Sequence, residues 1–133
     1  MKKLSRSKIR ELAMIALYQI ELYEKANLSY DLESILLSLT KTKDDYLVNI
    51  VLGVLENKEK LDTLINKHLK DWTLDRLGKT DEVILRISCF ELKTTDTPPK
   101  VVINEAIELA KKYSDPKVVS MINGVLDKIY KNS

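Results

Sequence analysis

An all-α fold of six or seven helices, packed as two small bundles joined near Leu77–Thr80, follows from three features of the sequence. Apolar residues recur at intervals of three and four along nearly the whole chain, the period of a helix with one buried face. Glycine and proline number only three each in 133 residues, so breaks are sparse and helices are favoured over strands. Capping residues stand where the periodic segments begin. The chain is read as one domain, with an N-terminal bundle at about 1–72 and a C-terminal bundle at about 73–133.

The first helix runs from about Arg6 to about Lys25, because Ile9, Leu12, Ala13, Ala16, Leu17 and Ile20 form one face behind a Ser5 cap. A short helix follows at about Leu32 to Leu39, in SYDLESILLSL. Beyond TKTKDD, Leu47, Ile50, Val51, Val54, Leu55, Leu61, Leu64, Ile65 and Leu69 hold a long stripe with a bend near Asn57. DWTLDRLGKT reads as a linker, with Thr80 capping a helix that buries Val83, Ile84, Ile87, Phe90 and Leu92. Thr97–Pro98 and Asp115–Pro116 are both a cap followed by proline at the first helical position. They open a helix burying Val102, Ile103, Ala106, Ile107 and Ala110, and a last one burying Val118, Ile122, Val125, Leu126 and Ile129. No strand is predicted.

With 44% apolar and 32% charged residues, the chain fits a soluble globular protein rather than a disordered one. Glu11, Gln19 and Glu21 interrupt the apolar residues behind the basic start, so neither a signal peptide nor a membrane span is expected. Cys89 is the sole cysteine and cannot form an internal disulfide, which makes a reducing cytoplasm the simplest setting. Enzymatic signatures are missing from the sequence. It has no HExxH, no CxxC and no glycine-rich phosphate loop, and no cofactor or metal is implied. His68 reads as a surface or capping residue and Cys89, in ILRISCFEL, as a buried structural thiol. Asp44–Asp45 and Asp81–Glu82 sit at helix starts, where the dipole explains them.

The basic start has no such explanation. Lys2, Lys3, Arg6, Lys8 and Arg10 precede the first acid, Glu11. With 22 bases and 20 acids in all, the other 123 residues carry 17 bases against 20 acids. Arg6, Lys8 and Arg10 occupy the positive end of the first helix, where each cation costs about 0.3–1 kcal/mol at low salt. A local cluster held against that cost points to an anionic partner. Arg6, Arg10, Met14 and Tyr18 are each four apart and form one ridge beside the buried stripe. Such a row of guanidinium groups leading to an aromatic ring has the make-up of a single-stranded RNA platform. Gly124 is the second anomaly. It lies inside the helical stretch SMINGVLDKIY, where glycine costs about 1 kcal/mol relative to alanine, and close packing of a neighbouring helix is the expected reason.

Several motifs carry a resemblance over nearly the whole chain, weakest from about Ala26 to Asp45. They are LRIxxxEL at Leu85–Leu92, VxINEAIELAKxY at Val101–Tyr113 and NGVLDK at Asn123–Lys128. Near the start stand REL at Arg10–Leu12 and ALYQ at Ala16–Gln19. Together they resemble the NusB family of bacterial transcription antitermination factors. The resemblance implies a NusB-like fold of two three-helix bundles. It implies binding to the boxA element of ribosomal RNA leader transcripts together with NusE, which is also a small-subunit ribosomal protein. The pair would then join other Nus factors on RNA polymerase. By matching position, Arg6, Lys8, Arg10 and Tyr18 would touch RNA, with Lys2 and Lys3 extending the same basic start. The loop before the last helix and that helix's first turns add Lys117 and Met121. Asp81, Glu82 and Arg86 are nominated for the NusE surface. Ser7 replaces an arginine of some relatives, and Met121 an aromatic residue, which implies a weaker RNA contact at both. Members of the family occur as monomers or dimers, so a homodimer that buries the RNA face is a further expected partner.

Two other readings stand beside this one. A NusB-like region precedes the catalytic domain of some ribosomal RNA cytosine methyltransferases, but the chain holds no cofactor-binding α/β domain and its KNS end reads as a natural stop. A protein-only scaffold without RNA binding is the other, motivated by Ser7 and Met121.

Overall fold

The computed structural model describes residues 4–132, so Lys2 and Lys3 lie outside the described residues. Those residues form seven α-helices and no strand: α1 (Arg6–Lys25), α2 (Leu32–Leu39), α3 (Asp45–Glu56), α4 (Lys58–His68), α5 (Lys79–Thr94), α6 (Pro99–Tyr113) and α7 (Pro116–Lys131). A single 3₁₀ turn, Leu74–Arg76, stands between α4 and α5. Side chains cap three of the helices as their sequences anticipate. Ser5, Asp44 and Asp115 each accept a hydrogen bond from the backbone N–H three residues on, at 3.0–3.1 Å.

Helix α5 is the axis of the fold. Its residues from Glu82 to Glu91 are all buried, so it presents no solvent face along that stretch. It packs on α1, α3, α4, α6 and α7, while α2 rests on α1. One continuous apolar core results, running from Ile9 in α1 to Ile129 in α7. Helix α4, which the expected division near residue 72 assigns to the first bundle, packs on α5 and α7 as well as on α3. At Gly53 the chain needs a missing side chain. A Cβ there would lie 2.1 Å from the buried ring of Phe90, so α3 and α5 approach more closely than any larger residue allows.

Local boundaries depart from expectation in four places, each for a physical reason. The bend near Asn57 is a full break, since the Asn57 side chain donates to the Gly53 carbonyl at 2.8 Å, closing α3, while its own carbonyl starts α4. Thr80 is not a cap. Helix α5 begins at Lys79 behind Gly78, and Thr80 lies in its first turn. Helix α6 begins at Pro99 rather than Pro98, because a residue before proline is pushed out of the helical region and Pro98 is itself such a residue. The segment read as a linker is pinned. Leu74 is buried and its N–H donates to the Asn66 side chain at 2.7 Å.

Gly124 also departs from expectation. Nothing lies within 4 Å of where its Cβ would stand, so no neighbouring helix packs there. His68 caps α4. Its Nδ1 faces the Leu64 carbonyl at 3.0 Å and its Nε2 the Asn132 amide at 3.3 Å.

Candidate functional site

The first turn of α1 contains no acid, and its positive end is surrounded by groups that handle charge in different ways. Arg6 is exposed, with its guanidinium carbon 3.7 Å from the centre of the Tyr46 ring on α3. Lys8 is exposed and lies 3.6 Å from Glu11. Ser7 donates to Glu105 on α6.

Arg10 corrects the expected ridge. It is only 6% exposed and turns inward between α1 and α5. Its Nε donates to one Glu91 oxygen at 2.8 Å and Nη2 to the other at 2.9 Å, while Nη1 donates to Glu105 at 3.3 Å. Burial by itself would lower the Arg10 pKa. The Glu91 pair, Tyr46 and Glu105 more than offset that, and the net direction is upward. Met14 is buried as well. Successive fourfold steps drift by about 40° per step on a 3.6-residue helix, and the middle of this ridge rotates into the core. Of the four residues, Arg6 and Tyr18 remain at the surface.

Tyr18 is 37% exposed, and Glu11, seven residues earlier, lies on the same face of α1. Glu11 accepts from the Tyr113 hydroxyl at 2.7 Å and from Lys112 at 3.5 Å. The Tyr113 bond, with burial opposing and Lys112 assisting, lowers the Glu11 pKa. This anchors the end of α6 on the side of α1 that carries Tyr18, and the chain passes from there into α7. Lys117 is exposed in the first turn of α7, capped by Asp115. Met121 is half-buried and packs against the core. Exposed cations at Arg6, Lys8 and Lys117 and the Tyr18 ring are what these elements offer an anionic chain.

The nominated protein-binding residues are placed differently. Glu82 is 2% exposed, and burial raises its pKa despite a Lys79 ammonium 3.2 Å away. Arg86 is also buried, donating to both Asp62 oxygens at 2.7 and 3.1 Å and lying 3.5 Å from Glu21. Neither charge is available at the surface of the chain, a correction to their nomination that follows from the all-round burial of α5. Asp81 is half-buried and accepts from Ser114 in the α6–α7 turn.

Tyr46, Glu91 and Glu105 went unrecognised in the sequence as parts of the site. Glu91 had a signal. A carboxylate inside the apolar run ILRISCFEL needs a buried cation, although nothing local says that Arg10 supplies it.

Among the described residues no group of three or more His, Cys, Asp or Glu is arranged to hold a metal ion. No helix among them is long and apolar enough to cross a membrane.

A model of the NusB family matches residues 7–131. The transcription antitermination protein NusB of Clostridium perfringens (strain SM101 / Type A) is 48% identical over 134 aligned residues, which cover 97% of this chain and 98% of the relative. That of Macrococcus caseolyticus (strain JCSC5402) is 43% identical, with the same coverage of 97% and 98%. Among solved structures, NusB of T. maritima matches with a TM-score of 0.84 at 34% identity, covering 98% of this chain and 93% of that one. A chain from the crystal structure of antitermination factors NusB and NusE in complex with dsRNA matches with a TM-score of 0.81 at 27% identity, covering 96% and 97%.

Proposed function

The chain belongs to the NusB family, and from that membership we propose that it is a transcription antitermination factor that binds boxA-type RNA of ribosomal RNA transcripts together with NusE. One observation carries the RNA reading beyond the family name. Arg6 and Lys8 remain exposed at the positive end of α1, where the helix dipole opposes their charges and a phosphate would offset it. Direct contact is assigned to Arg6, Lys8, Tyr18 and Lys117, with Met121 at the edge of the face and Lys2 and Lys3 continuing the basic start. Arg10 supports that face from below. For NusE, Asp81 stays a contact residue at the α5 start, while Glu82 and Arg86 hold the shape of that end.

In this reading the protein and NusE join other Nus factors on RNA polymerase in the cytoplasm. A second copy covering the α1 face would compete with RNA, so a homodimer would be the resting form rather than the active one. The methyltransferase reading loses ground because the chain spans 98% of relatives that are themselves named antitermination proteins. The reading is tested by fluorescence anisotropy with a short boxA-like RNA, with and without NusE, at two salt concentrations. Binding that tightens with NusE and weakens with salt is expected. No binding by the wild type even with NusE overturns the RNA reading in favour of a protein-only scaffold.

A further inference from the structure

We propose that Tyr46 on α3 is a positioning residue for RNA binding, holding the Arg6 guanidinium against its ring so that the in-plane N–H donors of Arg6 face outward to a phosphate. The proposal rests on the RNA reading above and adds to it a residue outside the basic start and the α6–α7 region.

Three observations carry it. Arg6 is the first residue of α1, and among the described residues it makes no ion pair, so the ring 3.7 Å away is what orders its long side chain. A guanidinium stacked on an aromatic face keeps its edge donors free, whereas a salt bridge would occupy them. The ring itself is held at its far end. The Tyr46 hydroxyl donates to Glu91 at 2.7 Å, and Glu91 is fixed in the core by both of its bonds to Arg10. The Arg10 guanidinium carbon lies 6.0 Å from the same ring. A surface cation is thereby tied through one tyrosine to a buried ion pair, and ordering it before binding removes part of the entropy cost of capturing a phosphate. Arg10 then contributes to RNA binding through Tyr46 rather than by touching RNA.

The test is a double-mutant cycle on RNA affinity with Arg6→Ala, Tyr46→Leu and both, alongside Tyr46→Phe and Lys8→Ala. Tyr46→Leu is expected to weaken binding about threefold to tenfold, the scale of one lost cation–π contact and one freed side chain. In the Arg6→Ala background it should cost nothing further, yet its loss should add in full to that of Lys8→Ala. Tyr46→Phe keeps the ring but loses its bond to Glu91, so it should lose less affinity than Tyr46→Leu, and it carries the test even if Tyr46→Leu proves unstable. In the RNA-free protein, NMR should show an upfield ring-current shift of the Arg6 Cδ protons that survives in Tyr46→Phe and vanishes in Tyr46→Leu. Equal losses in both Arg6 backgrounds, a well-folded Tyr46→Phe that binds as weakly as Tyr46→Leu, or tighter binding on removing the ring each overturn the proposal. A wild type with the ring-current shift but no affinity for RNA overturns the functional reading instead, and positioning for RNA falls with it.

Discussion

Arg10 and Glu91, 81 residues apart in sequence, form a two-point ion pair between α1 and α5 with donor–acceptor distances of 2.8 and 2.9 Å. Both side chains are almost wholly enclosed, so the pair behaves as a core element even though Arg10 belongs to the basic start. Removing one partner of a buried pair leaves the other charge uncompensated, which costs about 3–5 kcal/mol. Arg10→Ala should therefore lower the midpoint of urea unfolding sharply, and Arg10→Lys should restore only part of it because lysine cannot match both oxygens. Arg6→Ala, at the surface, should stay within about 0.5 kcal/mol of wild type. Equal midpoints for Arg10→Ala and wild type would show that the pair contributes nothing to stability.

Two glycines should respond in opposite directions to the same substitution. Gly53→Ala drives a Cβ into the Phe90 ring and should lose about 1–3 kcal/mol, as overpacking does. Gly124→Ala meets open space in mid-helix and should gain about 0.5–1 kcal/mol. Thermal melts of the two variants read both signs.

Glu11 should shape the acid limb of stability. Its pKa is lowered, chiefly by the Tyr113 hydroxyl and then by Lys112 and Lys8. A carboxylate lowered on folding contributes stability that is present above its unfolded pKa and lost as pH falls through the folded one. Glu11→Gln should therefore flatten the decline of stability in that acid window, and because Glu11 also raises the Tyr113 pKa, it should soften the decline on the far alkaline side as well. A Glu11→Gln melting profile parallel to wild type down through the acid range would refute this.

Cys89 should act on the alkaline side. It is fully enclosed, and burial pushes its thiol up to about 11. Between the ordinary thiol value near 8.5 and 11 the folded state keeps a proton that the unfolded state has lost, so this residue makes stability fall as pH rises through that window. At neutral pH the native thiol should react with alkylating reagents only through opening of the fold. Labelling at the rate of a free thiol would contradict the burial.

Charge and stacking should separate cleanly in RNA binding. Arg6→Ala and Lys8→Ala should each reduce the slope of log affinity against log salt by about 0.7, the single-strand value per phosphate contact. Tyr18→Ala should leave that slope unchanged while losing about 1–3 kcal/mol of affinity, and Tyr18→Phe should lose little. A change of slope in Tyr18→Ala would mean that the ring orders phosphate contacts rather than stacking a base.

Features that depend on a few consecutive residues were readable in the sequence. The extent of α1, the short α2 and the cap-and-proline start of α7 follow from helical spacing and from side chains reaching a backbone N–H three residues away. Even the shifted start of α6 obeys a local rule, applied to the second proline instead of the first. The family resemblance was carried by motifs of this local kind, and the family match bears it out. Tertiary structure alone decided which charges face the solvent. A cationic residue beside a buried stripe sits near the border between core and surface, and its direction depends on whether a distant helix presents a carboxylate. For Arg10 that carboxylate is Glu91, and for Arg86 it is Asp62. Spacing along one helix says nothing about either, because the energy that turns a charge inward comes from a partner the helix itself does not contain.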